Sequence, residues 1–292
     1  MSGLSFADRA VLVTGAGRGV GRAHALAFAE RGAAVVVNDL DDSAAVVTGE
    51  ILAGGGSAIA HRGDISAPDI AESAVARAIS QFGRIDVVVA NAGIDQITPL
   101  RDVTPQLLID FFRVHVLGTW TVCSAAWPHF VEQRHGRIVT TTSAAGYFGL
   151  PRALPYTTAK GALHGMTQSL ALEGARFGIT ANAVAPFAAS RLARARTAGA
   201  PDLQDAIDRY APASDVSPVV LWLAHHTTTV TGQAFEVGIG AVSRVAVGVG
   251  DVVAVDADPA SWTVGAVAVP PVGGSDRPLT RWLNQCDGGA PA

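Results

Sequence analysis

The chain has 292 residues, of which 49% are hydrophobic and 16% charged, and this composition predicts one large α/β domain with a buried core. Its formal net charge of -4 gives no reason to expect nucleic acid or an anionic membrane as a partner. Two cysteines do not make a disulfide framework, so we expect a reducing compartment, the cytoplasm. The patterns of a secretion signal, a membrane span and a metal site are not found, and we expect none of the three.

The chain begins with a segment that is typical of nucleotide binding. An apolar strand is predicted at residues 10–14, followed by the glycine-rich stretch GAGRGVG and an alanine-rich helix. Strand, loop and helix in this order present backbone N–H groups and a helix N-terminus to a pyrophosphate. A glycine turn that merely joins strand to helix is the alternative for this segment taken alone. The predicted cofactor-binding residues here are Gly15, Arg18, Gly19, Val20 and Gly21.

An acidic residue follows the second predicted strand, residues 33–38. The Asp39 carboxylate can accept hydrogen bonds from both ribose hydroxyls of an adenosine and would repel a 2′-phosphate. Arg18 favours NADP instead, because a cation in the glycine loop can bind that 2′-phosphate. We give Asp39 more weight, since its carboxylate must lie at the ribose itself, and predict NAD rather than NADP.

Two further strands end in small or polar residues. Strands are predicted at residues 58–62 and 85–90, with a helix over 68–82 between them. Asp64 can accept from the adenine amino group, or can cap the helix that follows. Ligands of open parallel sheets bind at the carboxyl ends of the strands. The cofactor-binding residues predicted at these ends are Asp64, Ile65, Asn91, Ala92 and Gly93.

The pattern that points to chemistry lies further along the chain. The run 137–141 predicts a buried strand that closes at Ser143, and a helix follows from Tyr156. Tyr156 and Lys160 are four residues apart and share one helix face. A fixed ammonium lowers the pKa of a phenol from its usual value near 10, which favours acid/base catalysis near neutral pH. The Ser143 hydroxyl can donate to the same substrate oxygen. A Tyr-x-x-x-Lys pair alone is common on solvated helices, so the prediction depends on the serine and the strand ends.

Taken together, TGAGRGVG, Asp64, NAG, Ser143 and YTTAK resemble the short-chain dehydrogenase/reductase family in order and spacing, over about residues 6–240. The resemblance implies a doubly wound Rossmann fold with a parallel sheet, a nicotinamide cofactor, and catalysis by Ser143, Tyr156 and Lys160. It also implies that Lys160 holds the nicotinamide ribose. Pro186 begins the loop that usually covers nicotinamide, and Phe187 replaces the usual glycine there, which leaves the path of the loop open.

One position departs from the family pattern. Members usually carry asparagine within V-N-x-x-G, whereas this chain has His115 in V-H-V-L-G. The asparagine is thought to hold a water in a proton relay behind the lysine. Histidine can donate and accept there, so His115 is a predicted catalytic residue. A helix-packing histidine without a chemical part is the alternative.

Several further stretches make the resemblance more specific within this family. VVVNDL at 35–40, RVHVLGTW at 113–120 and VVLWLAH at 219–225 are similar to the dehydrogenase domain of the multifunctional β-oxidation enzyme that acts on (3R)-hydroxyacyl-CoA. This resemblance implies an NAD-dependent enzyme that interconverts a secondary alcohol and a ketone on a 3-hydroxyacyl-CoA or similar small molecule. The alternatives are a steroid, terpenoid or polyketide carbonyl as substrate, and a dinucleotide-binding protein without chemistry.

The last part of the chain carries weaker predictions. We expect a dehydrogenase domain at 1–240 and a C-terminal extension at 241–292, with a hairpin near Gly250 and a short last helix. Residues 187–213 are predicted to form a mobile lid. Its arginines, which either meet the phosphates of a CoA ester or are simply solvated, are Arg191, Arg194, Arg196 and Arg209. The helix at 156–176 is apolar on two faces, and the family resemblance suggests a homodimer or homotetramer.

Overall fold

The computed structural model describes residues 4–189, 193–194, 197 and 199–247. The strands are β1 (Ala10–Thr14), β2 (Ala34–Asp39), β3 (Ser57–Arg62), β4 (Val87–Ala90), β5 (Gly136–Thr141), β6 (Ile179–Pro186), β7 (Ala234–Gly238) and β8 (Ala241–Val245). The helices are α1 (Gly19–Ala29), α2 (Ser43–Ala53), α3 (Pro68–Phe82), α4 (Pro105–Phe111), α5 (Gly118–Gln133), α6 (Ala144–Phe148), α7 (Leu154–Gly174), α8 (Pro201–Tyr210) and α9 (Ser217–Ala224).

In the described part of the chain, the eight strands form one sheet in the order β3-β2-β1-β4-β5-β6-β7-β8. The pairings from β3 through to β7 are all parallel. The strand order reverses between β1 and β4, which is the position where doubly wound sheets open a crevice for ligands. The predicted doubly wound α/β fold is confirmed.

Side-chain alternation along the strands builds two cores. Val11 and Val13 of β1 lie in one core with Phe28 of α1. Leu12, between them, lies in the other core with residues of α3 and α5. Successive strand residues point to opposite faces of a sheet, so a strand covered on both sides is apolar throughout. This is why the five residues of β1 are all buried.

Most predicted elements lie within one or two residues of those observed, and α3 has the predicted bounds. The prediction that a strand closes at Ser143 is wrong: β5 ends at Thr141. Ser143 is instead the N-cap of α6, a short helix that was not predicted. Its side chain accepts a hydrogen bond from the Ala145 N–H at 3.2 Å, and such a bond starts a helix rather than extending a strand.

The helix before β5 changes its hydrogen-bond pattern along its length. α4 and α5 are joined by a π-helical segment, Phe112–Leu117, into one continuous helix. The combined helix, Pro105–Gln133, is long and apolar enough to span a membrane, with a mean hydropathy of 1.2 and 39% burial over its most apolar window. Core helices pass the same test, and Phe130 of this helix is buried in the second core.

The chain divides into two compact units, 1–244 and 245–292. Only residues 245–247 of the second unit belong to the described part. β8 follows β7 after Ile239 and Gly240, which have φ values of 54° and 65°, the conformation that two-residue hairpin turns require. The hairpin predicted near Gly250 and the last short helix lie outside the described residues.

Candidate active site

The glycine-rich loop and the Asn-Ala-Gly segment are fixed to each other. Thr14 Oγ1, at the end of β1, accepts the N–H groups of Asn91 and Ala92, both at 3.0 Å. Asn91 Nδ2 donates to the carbonyls of Thr14 at 3.0 Å and Gly15 at 3.1 Å. These four bonds define one wall of a cleft at the carboxyl edge of the sheet.

Two glycines show why the cleft needs residues without side chains. A Cβ at Gly21 would lie 2.2 Å from the Gly15 carbonyl oxygen, so a larger residue would push the loop apart. Gly19 has a φ of 56° and faces open space. α1 begins at Gly19, and its N-cap, Arg18, makes no side-chain cap bond. The first N–H groups of α1 are therefore available to an anion, as a dinucleotide pyrophosphate requires. Val20, the remaining predicted residue of the loop, packs partly against the first core.

Asp39 is the last residue of β2 and reaches back to the loop. Its Oδ2 accepts from the Gly17 N–H at 2.8 Å, and its Oδ1 from the Leu40 N–H at 2.8 Å. Each carboxylate oxygen has a second lone pair. Asp39 can thus hold the loop and still accept from a ribose hydroxyl.

The two arginines near Asp39 are already paired. Arg18 binds Asp41 and also donates to Ser43 Oγ at 3.1 Å. Arg62 forms an ion pair with Asp42 at 2.9 Å. The three aspartates at this edge outnumber the two arginines, so the edge keeps a net negative charge that is unfavourable for an additional phosphate.

Asp64 lies as predicted at the end of β3, but its carboxylate has partners. Oδ1 accepts from the Ser66 N–H at 3.0 Å and the Ser66 hydroxyl at 2.7 Å, and Oδ2 from Arg113 Nη1 at 2.7 Å. The alternative of a helix cap does not hold, since the N-cap of α3 is Ala67, without a side-chain bond. Ile65 is buried, and its carbonyl accepts from Thr121 Oγ1 at 2.6 Å.

Tyr156 and Lys160 occupy the buried face of α7, with exposures of 8% and 4%. Lys160 Nζ lies 5.8 Å from the centroid of the Tyr156 ring and donates to the Thr141 carbonyl at 2.5 Å. The Lys160 carbonyl in turn accepts from Thr142 Oγ1 at 2.8 Å. The end of β5, just before Ser143, is thus attached to the helix that carries Tyr156. Burial lowers the pKa of Lys160 to about 7, while the charge of Asp95 acts to raise it.

His115 lies directly beside Tyr156. It belongs to the π-helical segment and is 1% exposed. Its ring packs edge-on against Tyr156, with centroids 5.7 Å apart, and stacks on Phe111 at 5.8 Å. A Cβ at Gly93 would lie 2.5 Å from His115 Cε1, so the glycine of the Asn-Ala-Gly segment makes room for this ring. π-Bulges in helices frequently mark functional positions.

The protonation of His115 follows from its surroundings. Its Nε2 lies 2.8 Å from the Ile94 carbonyl oxygen and 3.3 Å from the Ile94 N–H. The shorter contact assigns the proton to Nε2, which leaves Nδ1 as an acceptor. Burial, with a smaller contribution from Lys160, lowers the pKa of His115 to about 3. Nδ1 is buried and has no protein partner among the described residues, so a neutral imidazole presents one acceptor inside the site.

Pro186 ends β6, and the loop after it follows β7 closely. The Phe187 N–H donates to the Val237 carbonyl at 2.7 Å. A Cβ at Gly238 would lie 2.0 Å from the Phe187 carbonyl oxygen, so glycine at 238 permits this approach. The path of the loop after Pro186 is therefore set by backbone contacts with the neighbouring strand.

The predicted lid is described in part. Arg194 donates to Asp208 at 3.1 Å, and Arg209 stacks on Tyr210 at 5.3 Å. These contacts favour the interpretation of solvated, paired helix charges. Arg191 and Arg196 lie outside the described residues, and the lid stays a prediction.

Among the described residues, no group of three or more His, Cys, Asp or Glu side chains could hold a metal ion. Lys160 and His115 are titratable side chains that adjoin Tyr156, and the charge of Asp95 acts on Lys160. Asp95 was not predicted. Its position after the Asn-Ala-Gly segment was the available signal, but the sequence does not indicate that the segment folds back toward Lys160.

Comparison with known proteins places this geometry in a family. The short chain dehydrogenase model matches residues 9–197. The peroxisomal multifunctional enzyme type 2 of Mus musculus is 41% identical over 259 residues, which is 84% of this chain but 33% of that enzyme. The chain thus spans about a third of that relative, and the predicted likeness to its dehydrogenase domain is confirmed.

Two matches extend over nearly the whole of the other protein. The 3-oxoacyl-[acyl-carrier-protein] reductase of a Synechocystis strain is 37% identical over 237 residues, covering 79% of this chain and 96% of the reductase. The crystal structure of a short chain dehydrogenase from Mycobacterium avium has a TM-score of 0.76 at 34% identity, covering 88% of this chain and 92% of that one. The chain therefore belongs to the short-chain dehydrogenase/reductase family.

Proposed function

We propose that the protein is an NAD-dependent oxidoreductase that interconverts a secondary alcohol and a ketone on a 3-hydroxyacyl thioester. The observation that carries this proposal is the attachment of buried Lys160 to Thr141 and Thr142, next to Tyr156 and two residues from Ser143. A dinucleotide-binding protein without chemistry can use this lysine to hold the ribose, but it has no need of a phenol buried beside the ammonium.

The proposed roles follow from the chemistry of the side chains. In the oxidation, the hydroxyl proton of the substrate passes to the Tyr156 oxygen, and Ser143 Oγ donates to the oxygen that becomes the carbonyl. When bound, a nicotinamide dinucleotide supplies the hydride acceptor. The Lys160 ammonium stabilises the phenolate of Tyr156. His115 Nδ1 accepts a hydrogen bond from a water that carries the released proton away from Tyr156 and Lys160 toward solvent. Such acid/base groups contribute roughly 10²–10⁴-fold to a rate.

NAD is the proposed cofactor, since the surroundings of Asp39 disfavour an additional phosphate. Arg18 pairs with Asp41, and Arg62 with Asp42. Each guanidinium is already paired with a carboxylate, which weakens its attraction for a 2′-phosphate. The Asp39 carboxylate is held at the end of β2 by the Gly17 N–H, where the ribose of a dinucleotide is expected. Asn91, Ala92 and Pro186 are also proposed to contact the bound NAD, and these contacts stay predictions.

The substrate class is inferred from relatives. The likeness to the mouse multifunctional enzyme suggests a 3-hydroxyacyl-CoA, whereas the Synechocystis relative is named for an acyl-carrier-protein thioester. Both substrates carry the reacting oxygen at carbon 3 of an acyl thioester. We propose the CoA ester, because the stretches at 35–40 and 113–120 resemble the multifunctional enzyme.

One screen tests the proposal. Reduction of NAD is followed at 340 nm with (3R)- and (3S)-hydroxyacyl-CoA esters, a hydroxyacyl carrier protein, a hydroxysteroid and simple secondary alcohols. The expected result is the highest kcat/KM for one 3-hydroxyacyl-CoA enantiomer. Turnover of the steroid or the alcohols alone would contradict the assignment of a thioester substrate. Absence of turnover with every substrate would contradict the proposal that the protein is an enzyme.

Assembly into a homodimer or homotetramer is also proposed. Leu172 on α7 is 79% exposed, and Trp120 on α5 is 52% exposed. A depression of about 390 Å³ beside Leu172 is lined by Trp127, Leu172, Glu173, Ala175, Arg176 and Phe177. Exposed apolar side chains on neighbouring helices favour burial against another chain. Sedimentation equilibrium would give a dimer or tetramer mass, whereas a monomer at micromolar concentration would contradict the proposal.

Compartment and domain division are proposals as well. Cys123 is a buried free thiol whose pKa burial raises to about 12, which fits a chain that keeps this cysteine reduced. The mouse relative is named peroxisomal, so imaging of a fluorescent fusion must distinguish cytoplasm from peroxisome.

The proposed domain division is a dehydrogenase domain at 1–240 with an extension at 241–292. Limited proteolysis followed by mass spectrometry tests this boundary.

A further inference from the structure

An ion pair beyond the end of β3 takes no part in the proposed proton path. Arg113 Nη1 lies 2.7 Å from Asp64 Oδ2 and 3.4 Å from Ser66 Oγ. Asp64 lies in the loop after β3, whereas Arg113 belongs to the π-helical segment Phe112–Leu117. The side chains of Asp64 and Arg113 are 34% and 51% exposed, so a bound molecule can reach the carboxylate.

Asp64 lies next to the residue that is proposed to bind the adenosine ribose. In the parallel pairing of β2 with β3, Asp39 is opposite Arg62, and the Gly63 N–H donates to the Asp39 carbonyl at 2.9 Å. Asp64 is therefore one residue beyond a point of contact with Asp39. Because adenine is bonded directly to this ribose in a dinucleotide, the base is expected beside Asp64.

The hydrogen bonds of Asp64 leave one direction for a further donor. Oδ1 accepts from the N–H and the hydroxyl of Ser66, at 3.0 and 2.7 Å, which occupies both of its lone pairs. Oδ2 accepts from Arg113 and keeps one lone pair. The amino group of adenine would donate to that lone pair, next to the guanidinium. Burial acts to raise the pKa of Asp64, but the hydrogen bonds from Ser66 and the charge of Arg113 outweigh it, so the pKa is lowered and the carboxylate is ionised at neutral pH.

The helix that carries Arg113 is fastened to the same loop without the ion pair. Thr121 Oγ1, which belongs to a buried residue of α5, donates to the Ile65 carbonyl at 2.6 Å. A Cβ at Gly118 would lie 3.3 Å from Ile65 Cγ2, so the start of α5 packs closely on the loop. Loss of the Arg113 side chain is therefore expected to leave the helix in place and to affect the orientation of the Asp64 carboxylate.

We propose that Arg113 is a positioning residue for the cofactor: its guanidinium fixes the Asp64 carboxylate in the orientation that accepts the amino group of adenine. The proposal rests on the proposed function, because it requires a nicotinamide adenine dinucleotide in this cleft. Arg113 acts through Asp64 and does not touch the reacting atoms. A single nitrogen, Nη1, makes the contacts with both Asp64 and Ser66, so the ammonium of a lysine can replace it in part.

Isothermal titration calorimetry with NAD tests the proposal without a substrate. Arg113→Gln is expected to raise the Kd of NAD about three- to tenfold, because a carboxylate that is not fixed makes a weaker hydrogen bond to the base, and Arg113→Lys should lose less. In etheno-NAD a two-carbon bridge removes both hydrogens of the adenine amino group, so Arg113→Gln should change its Kd by less than about twofold. Arg101→Gln is the matched control, since Arg101 is exposed and pairs with Asp102 at 3.7 Å.

A double-mutant cycle shows whether Arg113 acts through Asp64. In the background of Asp64→Ala, Arg113→Gln should change the Kd of NAD by less than about twofold, because the carboxylate that it positions is gone. Additive effects of the two substitutions would overturn the proposal, and so would an equal change for etheno-NAD or for Arg101→Gln. An unchanged Kd of NAD in folded Arg113→Gln would overturn it as well. Circular dichroism establishes folding, and Arg113→Ala serves if the glutamine variant is not folded.

Turnover separates this proposal from the proposed reaction. The KM of NAD should rise in Arg113→Gln, whereas kcat at saturating NAD should stay at the wild-type value. A fall in kcat with an unchanged Kd of NAD would mean that the ion pair supports the segment of His115 instead, which would refute the positioning of the cofactor. Wild type that binds NAD but turns over no substrate refutes only the proposed reaction, whereas wild type that binds no dinucleotide refutes both proposals.

Discussion

Replacement of Asp39 by alanine tests the cofactor assignment most directly. The carboxylate accepts from the Gly17 and Leu40 N–H groups and, in our proposal, also from the adenosine ribose. Hydrogen bonds to charged groups contribute about 1.5–3 kcal/mol each, so loss of the ribose contact is expected to raise the Kd of NADH roughly 10- to 100-fold. NADPH should gain less than about tenfold, because Arg18 remains paired with Asp41.

Titration of cofactor fluorescence with wild type and Asp39→Ala measures both dissociation constants, and kcat/KM ratios for NAD and NADP give the same preference in turnover. Asp42→Ala is the control: its carboxylate is 84% exposed and paired with Arg62, so the NADH constant should stay within about twofold. A wild-type preference for NADPH, or an unchanged preference in Asp39→Ala, would refute the reasoning.

The remaining predictions concern the proton path and stability. Tyr156→Phe should bind NADH like wild type but lose turnover by roughly 10²–10⁴-fold; near-normal turnover would exclude Tyr156 as the acid/base. His115→Asn should retain clearly more turnover than the apolar His115→Leu if an acceptor in the relay is needed, and equal losses would favour a packing role. His24 on α1 is fully buried, with Nδ1 2.9 Å from Ser217 Oγ, and burial lowers its pKa to about 3. The unfolded chain therefore binds more protons than the folded protein between pH 6.5 and 3, and stability falls by up to about 1.4 kcal/mol per pH unit as pH drops through that window. Urea denaturation at pH 7.5 and 5 should show a smaller loss for His24→Gln, and an identical loss would contradict the prediction.

The sequence alone was sufficient for the framework of the site. Tyr156 and Lys160 were placed on one helix face by their spacing, and the predicted strand ends at Asp39 and Asn91 do lie at one edge of the sheet. These features are local: helix and strand periodicity decide which way neighbouring side chains point. The end of β5 was placed wrongly, because the hydrogen bond by which Ser143 starts α6 has no periodic signal in so short a helix.

Tertiary structure alone decided the partners of the charged groups. Arg18 meets Asp41 across 23 residues of sequence, and Asp64 meets Arg113 across 49. Chain folding brought His115 against Ile94 and Tyr156, and Asp95 within electrostatic reach of Lys160. Residue types state what a side chain is able to do, whereas its pKa and its available lone pairs depend on neighbours that are remote along the chain. The reaction class could therefore be inferred from the sequence, but the electrostatic environment of the lysine could not.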